Sequence, residues 1–224
     1  MPPAPAGRPD AARLTAAGIL PRVPLEGRYV RLEPLAVGHV PGLLAVARGP
    51  RETFALTTVP PDEPAMRQYV ESALRDQAAG RALPFATVDR RANRVVGSTR
   101  FGNIEFWAWP PGSPHQRGED LPDVVEIGWT WLAGDVQRSG INTEAKLLML
   151  TQAFEGWRVH RVSLMTDARN TRSREAILRL GARFDGVLRG SRVAADGGIR
   201  DTAAYSIVEA EWPEVKAGLL ARLR

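Results

Sequence analysis

The sequence contains no cysteine and only three histidines in 224 residues. Without thiols there can be no disulfide, no thiolate metal site and no cysteine nucleophile. His39, His115 and His160 are far apart in sequence and form no H-x-x-x-H or similar ligand pattern, so no metal is expected. Long apolar runs are missing too: none approaches the roughly 20 residues that a spanning helix needs. The N-terminus, "MPPAPAGRPDAARLTAAGIL", has no apolar core preceded by basic residues and contains Asp10, which argues against a secretory signal. A cytoplasmic protein without a membrane partner is expected.

What is present fits a globular chain. Apolar residues make up 44% and charged ones 25%, ordinary values for soluble domains, and the length suits one well-filled core. The net charge of +5 comes from arginines spread among carboxylates. No basic block is interleaved with aromatics, so the charge reads as a generally basic surface that attracts anionic small molecules, and it argues against nucleic acid as a partner.

Residues 1–24 are rich in Ala, Pro and Gly and read as a loose N-terminal arm ahead of a single domain over 25–224. "GRYVRLEPL" alternates like a strand with one buried face. "HVPGLLAVA" and "PAMRQYVESALRDQAAG" read as helices, the second opening at Pro64 and stopping at Gly80. "PFATVD" and "RVVGSTRF" are strands joined by a polar turn. Residues 107–122 are crowded with Pro and Gly and form a long loop, either a substrate-side flap or a disordered insert. "DVVEIGWTWL", a strand, leads into a polar turn and helix; "HRVSLMTD" is another strand and "NTRSREAILRLGARF" another helix, stopped by Gly181. A hairpin with Asp196, Gly197 and Gly198 at its tip and a helical tail from Trp212 close the chain. Strands with helices between them predict an α/β (α+β) fold on a mixed sheet.

The informative stretch is "VQRSGINTEAKLLML". Strand, glycine-bearing turn and helix N-terminus in succession leave backbone N–H groups from Arg138 to Thr143 not all needed by the helix, beside a dipole that favours negative charge. Gly140 permits a positive φ or close backbone approach, and Asn142 is a candidate cap for the helix. The arrangement suits two phosphates. The bland alternative is an ordinary connection containing a glycine.

With this turn, Asn170 and Ser173 in "NTRSREAILRLGA" and the passage "LRLGARFDGVLRG" in order, the chain resembles the GNAT superfamily of acetyl-CoA-dependent N-acetyltransferases, in its RimJ/RimL-like branch. The family turn is (Q/R)-x-x-G-x-(G/A); Gln137 and Gly140 match, and Asn142 stands in the last small position. The resemblance implies a mostly antiparallel sheet flanked by helices and splayed between the family's fourth and fifth strands. It implies acetyl-CoA as cosubstrate, bound by Gln137, Arg138, Ser139, Gly140, Ile141, Asn142 and Thr143 at the pyrophosphate and by Thr130, Trp131, Leu132 and Asn170 along the pantetheine arm. Trp131 reads equally as a core aromatic, and Asn170 as a helix cap.

Glu126 lies where some family members carry a general base; its alternative is a solvent-facing or salt-bridged strand carboxylate. The segment "NTRSREAILRLGA" lacks the tyrosine that many relatives use at the start of the corresponding helix to protonate the leaving thiolate. Ser173 matches the serine of the RimL-like branch, and reads alternatively as a residue satisfying the helix backbone. Arg138, Arg172 and Arg174 are candidate partners of CoA phosphates, and each reads alternatively as a solvated surface arginine. The resulting expectation is an N-acetyltransferase acting on a protein or small-molecule amine by direct attack in a ternary complex. The competing reading is a non-catalytic acyl-CoA-binding or regulatory protein. A homodimer is compatible with the resemblance, through the closing hairpin or the C-terminal helix.

Overall fold

The computed structural model describes Leu20, residues 22–118 and residues 120–224. The expected N-terminal arm, apart from Leu20 and residues 22–24, lies outside the described residues. The strands are β1 (Leu25–Glu26), β2 (Val30–Pro34), β3 (Leu83–Asp89), β4 (Arg94–Glu105), β5 (Val124–Leu132), β6 (Arg161–Asp167), β7 (Arg183–Val193) and β8 (Ile199–Val208). The helices are α1 (Val40–Ala47), α2 (Glu63–Ala78), α3 (Gly140–Thr151), α4 (Thr171–Arg179) and α5 (Trp212–Ala221). One sheet runs in the order β1-β2-β3-β4-β5-β6-β8-β7. Every neighbouring pair is antiparallel except β5–β6, which is parallel and requires the α3 crossover.

Local chemistry sets the element ends. Asp62 caps α2 by accepting from the Ala65 N–H, Pro64 sits in its first turn, and Gly80 follows in the left-handed region at φ +69°. Met66, Val70 and Ala73 then fall at helical spacing on its buried face, where a large side chain contributes roughly 1.5–3 kcal/mol. Leu147, Leu150, Phe154 and Trp157 recur at roughly helical spacing and are all buried, the last two carried past α3 by a π-type turn over Gln152–Gly156.

A buried carboxylate ties this helix to the start of the sheet. Glu144 on α3 accepts the backbone N–H groups of Arg28, Tyr29 and Val30 at 2.7, 2.6 and 2.8 Å. These donors precede and open β2, so one side chain satisfies three groups that lack a ladder partner there.

The long loop after β4 is neither flap nor loose insert. Asp123 accepts from the Trp107 backbone N–H at 2.6 Å and the Trp109 indole N–H at 2.8 Å. Trp107 stacks on His160, whose ring contacts the His115 carbonyl at 3.0 Å. Asp123 and His160 stand just before β5 and β6, so these contacts fasten the loop at the paired end of those strands. His115 takes part in this anchoring through its carbonyl.

Candidate active site

β5 and β6 pair only through Val124↔Arg161, Val125↔Val162 and Glu126↔Ser163. Beyond Glu126 they separate, leaving one edge of β5 without a strand partner. A cleft of about 1510 Å³ opens at this point, lined by residues of β5, the following turn, α3, β6, α4, and the β7–β8 hairpin. A β-bulge shapes its wall: Gly128 opposes Arg100 and Trp131 opposes Ser98, leaving one extra residue on β5. Trp129 takes up the difference in the left-handed region at φ +51°.

The turn after β5 differs in detail from the sequence expectation. The positive φ belongs to Arg138, at +61°. Gly140 is instead the first residue of α3, and a Cβ there would lie 3.3 Å from the Tyr29 ring, so the glycine serves close packing. The cap is Ser139, whose hydroxyl accepts from the Ile141 N–H at 3.3 Å and donates to the Val136 carbonyl at 2.6 Å. Asn142 therefore does not cap the helix; its Oδ1 is buried without a hydrogen-bond partner among the described residues. A β-region residue with a short acceptor immediately before the first helical residue is the better cap, and Ser139 meets that condition.

Thr130, Trp131, Leu132, Gln137, Arg138, Ser139, Asn142 and Thr143 all line the cleft, as do Glu126, Asn170 and Ser173. Gly140 and Ile141 do not; with Ser139 they border a neighbouring cavity of about 560 Å³ that also presents Arg28, Arg90 and Arg91. Ile141 is buried in the core. Gln137 fastens the turn to the strand, its amide donating to the Leu132 carbonyl at 3.0 Å while its oxygen accepts from Arg172 at 3.3 Å. Trp131 is a core aromatic as well as a wall of the cleft, packed edgewise on Phe54 and Tyr69. Asn170 caps α4 by accepting from the Ser173 N–H at 3.0 Å.

Glu126 is 3% exposed and sits where the two strands part. Burial raises its pKa, opposed by Arg192 and a hydrogen bond from Asn103. Arg192 Nη2 lies 3.5 Å from its Oε2. Its carboxylate fits because Gly128 has no side chain: a Cβ there would stand 2.8 Å from Glu126 Oε1.

Several cleft residues were not singled out from sequence. Lys146 of α3 is 5% exposed, donates to Thr130 Oγ1 at 2.7 Å and to Thr99 Oγ1 at 3.3 Å, and burial pushes its pKa down to about 7. Arg100, Arg192 and Arg200 converge from β4, β7 and β8. The available signal for Lys146 was a lone charge inside the apolar run "AKLLML".

An anion fits the turn. The N–H groups of Arg138 and Ser139 donate to no acceptor among the described residues, and pyrophosphate oxygens are acceptors only. The unpartnered Asn142 Oδ1 calls for a donor, which the hydroxyl and amide groups of CoA can provide.

Comparison with known proteins agrees with this geometry. Residues 30–183 match the acetyltransferase (GNAT) domain family. The chain belongs to that family and is an acetyl-CoA-dependent N-acetyltransferase. A GCN5-related N-acetyltransferase from Brucella melitensis is 28% identical with a TM-score of 0.77, over 92% of this chain and 88% of that one. A solved structure from T. thermophilus is 36% identical with a TM-score of 0.73, over 92% and 98%. Mycobacterium smegmatis RimJ in complex with CoA-disulfide shares the fold at 22% identity and a TM-score of 0.70, over 87% and 90%. A comparison with curated proteins found no match. Among the described residues no helix is long and apolar enough to cross a membrane.

Proposed function

We propose that the cleft holds acetyl-CoA and a primary amine together, and that the amine nitrogen attacks the thioester carbonyl directly. The observation that carries this reading is the opening of β5 from β6 at Glu126, followed at once by a turn with unengaged N–H groups. Arg138, Ser139, Asn142 and Thr143, the residues of the turn that line the cleft, would receive the pyrophosphate. Thr130, Trp131 and Leu132 would line the pantetheine arm at the free edge of β5, with Asn170 opposite.

Glu126 would accept the proton that the amine loses, its raised pKa matching that task better than an ordinary carboxylate. A β5 backbone N–H beside the Trp129 bulge would polarise the thioester carbonyl. The new C–N bond forms as the C–S bond breaks, and Ser173 would return a proton to the departing thiolate. With no cysteine in the chain, no thiol competes for the acetyl group.

The acceptor is read as a small-molecule amine or a protein α-amine; a neighbour of the same fold is described as a ribosomal L7/L12 α-N-protein acetyltransferase. The protein is read as a homodimer on the exposed apolar residues Phe184, Val187 and Leu188 of β7. Initial rates with both substrates varied test the chemistry. Free CoA can be followed with a thiol reagent without background from the protein. Intersecting lines are expected, and parallel lines or an isolable acetyl-enzyme would contradict direct attack.

A further inference from the structure

Three arginines, Arg100, Arg192 and Arg200, line the cleft with few carboxylates free to balance them. Arg100 from β4 has a side chain only 7% exposed, and its Nε is buried with no hydrogen-bond partner among the described residues. Its closest carboxylate oxygen belongs to Asp76 of α2, at 4.0 Å. Arg200 from β8 also has a buried, unpartnered Nε. Arg192 from β7 reaches Glu126 at 3.5 Å. The Arg100 and Arg192 guanidiniums lie 5.1 and 6.0 Å from the centre of the Trp129 ring. Arg192 and Glu126 both act electrostatically on Arg200, as does Asp167, which is already paired with Arg169 at 2.8 Å.

A plain alkylammonium has little to gain here, because three like charges oppose its approach and are answered only by Glu126 and by Asp76, which lies 4.0 Å from Arg100 and is itself paired with Arg81 at 2.8 Å. An acceptor carrying its own oxyanion reverses the balance. The unsatisfied Nε groups would obtain acceptors, and planar guanidinium forks match carboxylate and phosphate oxygens in pairs. The surrounding positive charge would also favour the neutral, nucleophilic form of the amine.

We propose that the acceptor is an acidic amine, a primary amine bearing a carboxylate or phosphate within a few bonds, recognised by Arg100 and Arg192 beside Trp129 together with Arg200. The inference rests on the acetyltransferase reading: the acidic amine and acetyl-CoA would yield the N-acetyl acid and free CoA.

Matched pairs of amines test it, with CoA release as the readout. Ethanolamine phosphate against ethanolamine probes a small phosphate acid, β-alanine against β-alaninamide a small carboxylate, and peptides opening with Asp against the same peptides opening with Asn an acidic protein N-terminus. The expected result is a kcat/KM at least tenfold higher for the acidic member of one or more pairs, with that ratio collapsing towards one in Arg200→Gln. The pair that responds identifies the source of the anion. Equal or better turnover of every neutral member by the natural protein overturns the proposal while leaving the transferase reading intact. A retained ratio in a folded Arg200→Gln together with a folded Arg192→Gln also overturns it, because the discrimination would then lie elsewhere. If acetyl-CoA binds and no amine of either kind is turned over, the transferase reading itself fails and the acceptor proposal falls with it.

Discussion

The Lys146 ammonium nitrogen on α3 lies 2.7 Å from Thr130 Oγ1 on β5, joining the crossover helix to the strand whose free edge borders the cleft. Thr99 of β4 completes the contact, and among the described residues the lysine's hydrogen-bond partners are these two threonines, with no carboxylate. Its pKa of about 7, lowered by burial, lies below the usual lysine value. The unfolded chain thus binds the proton more tightly than the folded one, and stability rises with pH between about 7 and 10.4. Lys146→Met removes this cost. The variant should be more stable than the natural protein by about 1 kcal/mol or more at pH 7, and the advantage should shrink as pH rises towards 10. Urea denaturation at pH 7 and pH 9.5 measures both quantities.

Glu126 is expected to set the acid limb of the pH profile. Since burial raises its pKa, the rise of kcat/KM with pH should fall above the ordinary carboxylate range. Glu126→Gln should lower kcat/KM by about 10²–10⁴ and remove that limb. An unchanged profile in a folded variant would strip Glu126 of the base role and leave it as a partner of Arg192.

Glu144 should matter for stability before it matters for catalysis. Glu144→Ala leaves three backbone N–H groups without an acceptor, and a loss of about 3 kcal/mol or more is expected. Gly27→Ala attacks the same junction from the other side, since the new Cβ would stand 2.3 Å from Glu144 Cδ. Chemical denaturation of both variants should show the same region failing.

Asn142 supplies a contrast between stability and binding. Its Oδ1 is buried without a partner, so Asn142→Leu should cost little stability or add up to about 1 kcal/mol. The same change should weaken acetyl-CoA binding, because it removes a polar group facing the cleft. A thermal melt with and without acetyl-CoA separates the two: the variant should show the smaller ligand-induced shift.

Periodicity and punctuation revealed the architecture because they act locally. Pro64 and Gly80 bracket α2, and the turn after β5 declares itself through a glycine between strand and helix patterns. Which residue of that turn does what was less legible. Arg138 adopts the positive φ and Ser139 the cap, because Gly140 is claimed by packing against Tyr29, a residue more than a hundred positions away. The Trp129 bulge was hidden for a similar reason: "VEIGWTWL" reads as continuous strand, and only the register against β4 shows the extra residue. Arg100, Arg192 and Arg200 come from three strands, and nothing in their spacing announces that they meet.

Isothermal titration with acetyl-CoA tests the central claim most directly. Thr143→Glu is the companion variant, since Thr143 lines the cleft beside the turn and its replacement avoids the crowding that a side chain at Gly140 would meet at Tyr29. The natural protein should bind with a Kd of about 1–100 μM, and the folded variant, with a carboxylate set against the phosphates, should bind at least about 100-fold more weakly. Absence of binding by the folded natural protein, or equal binding by the variant, would contradict the assignment of this turn as the pyrophosphate site.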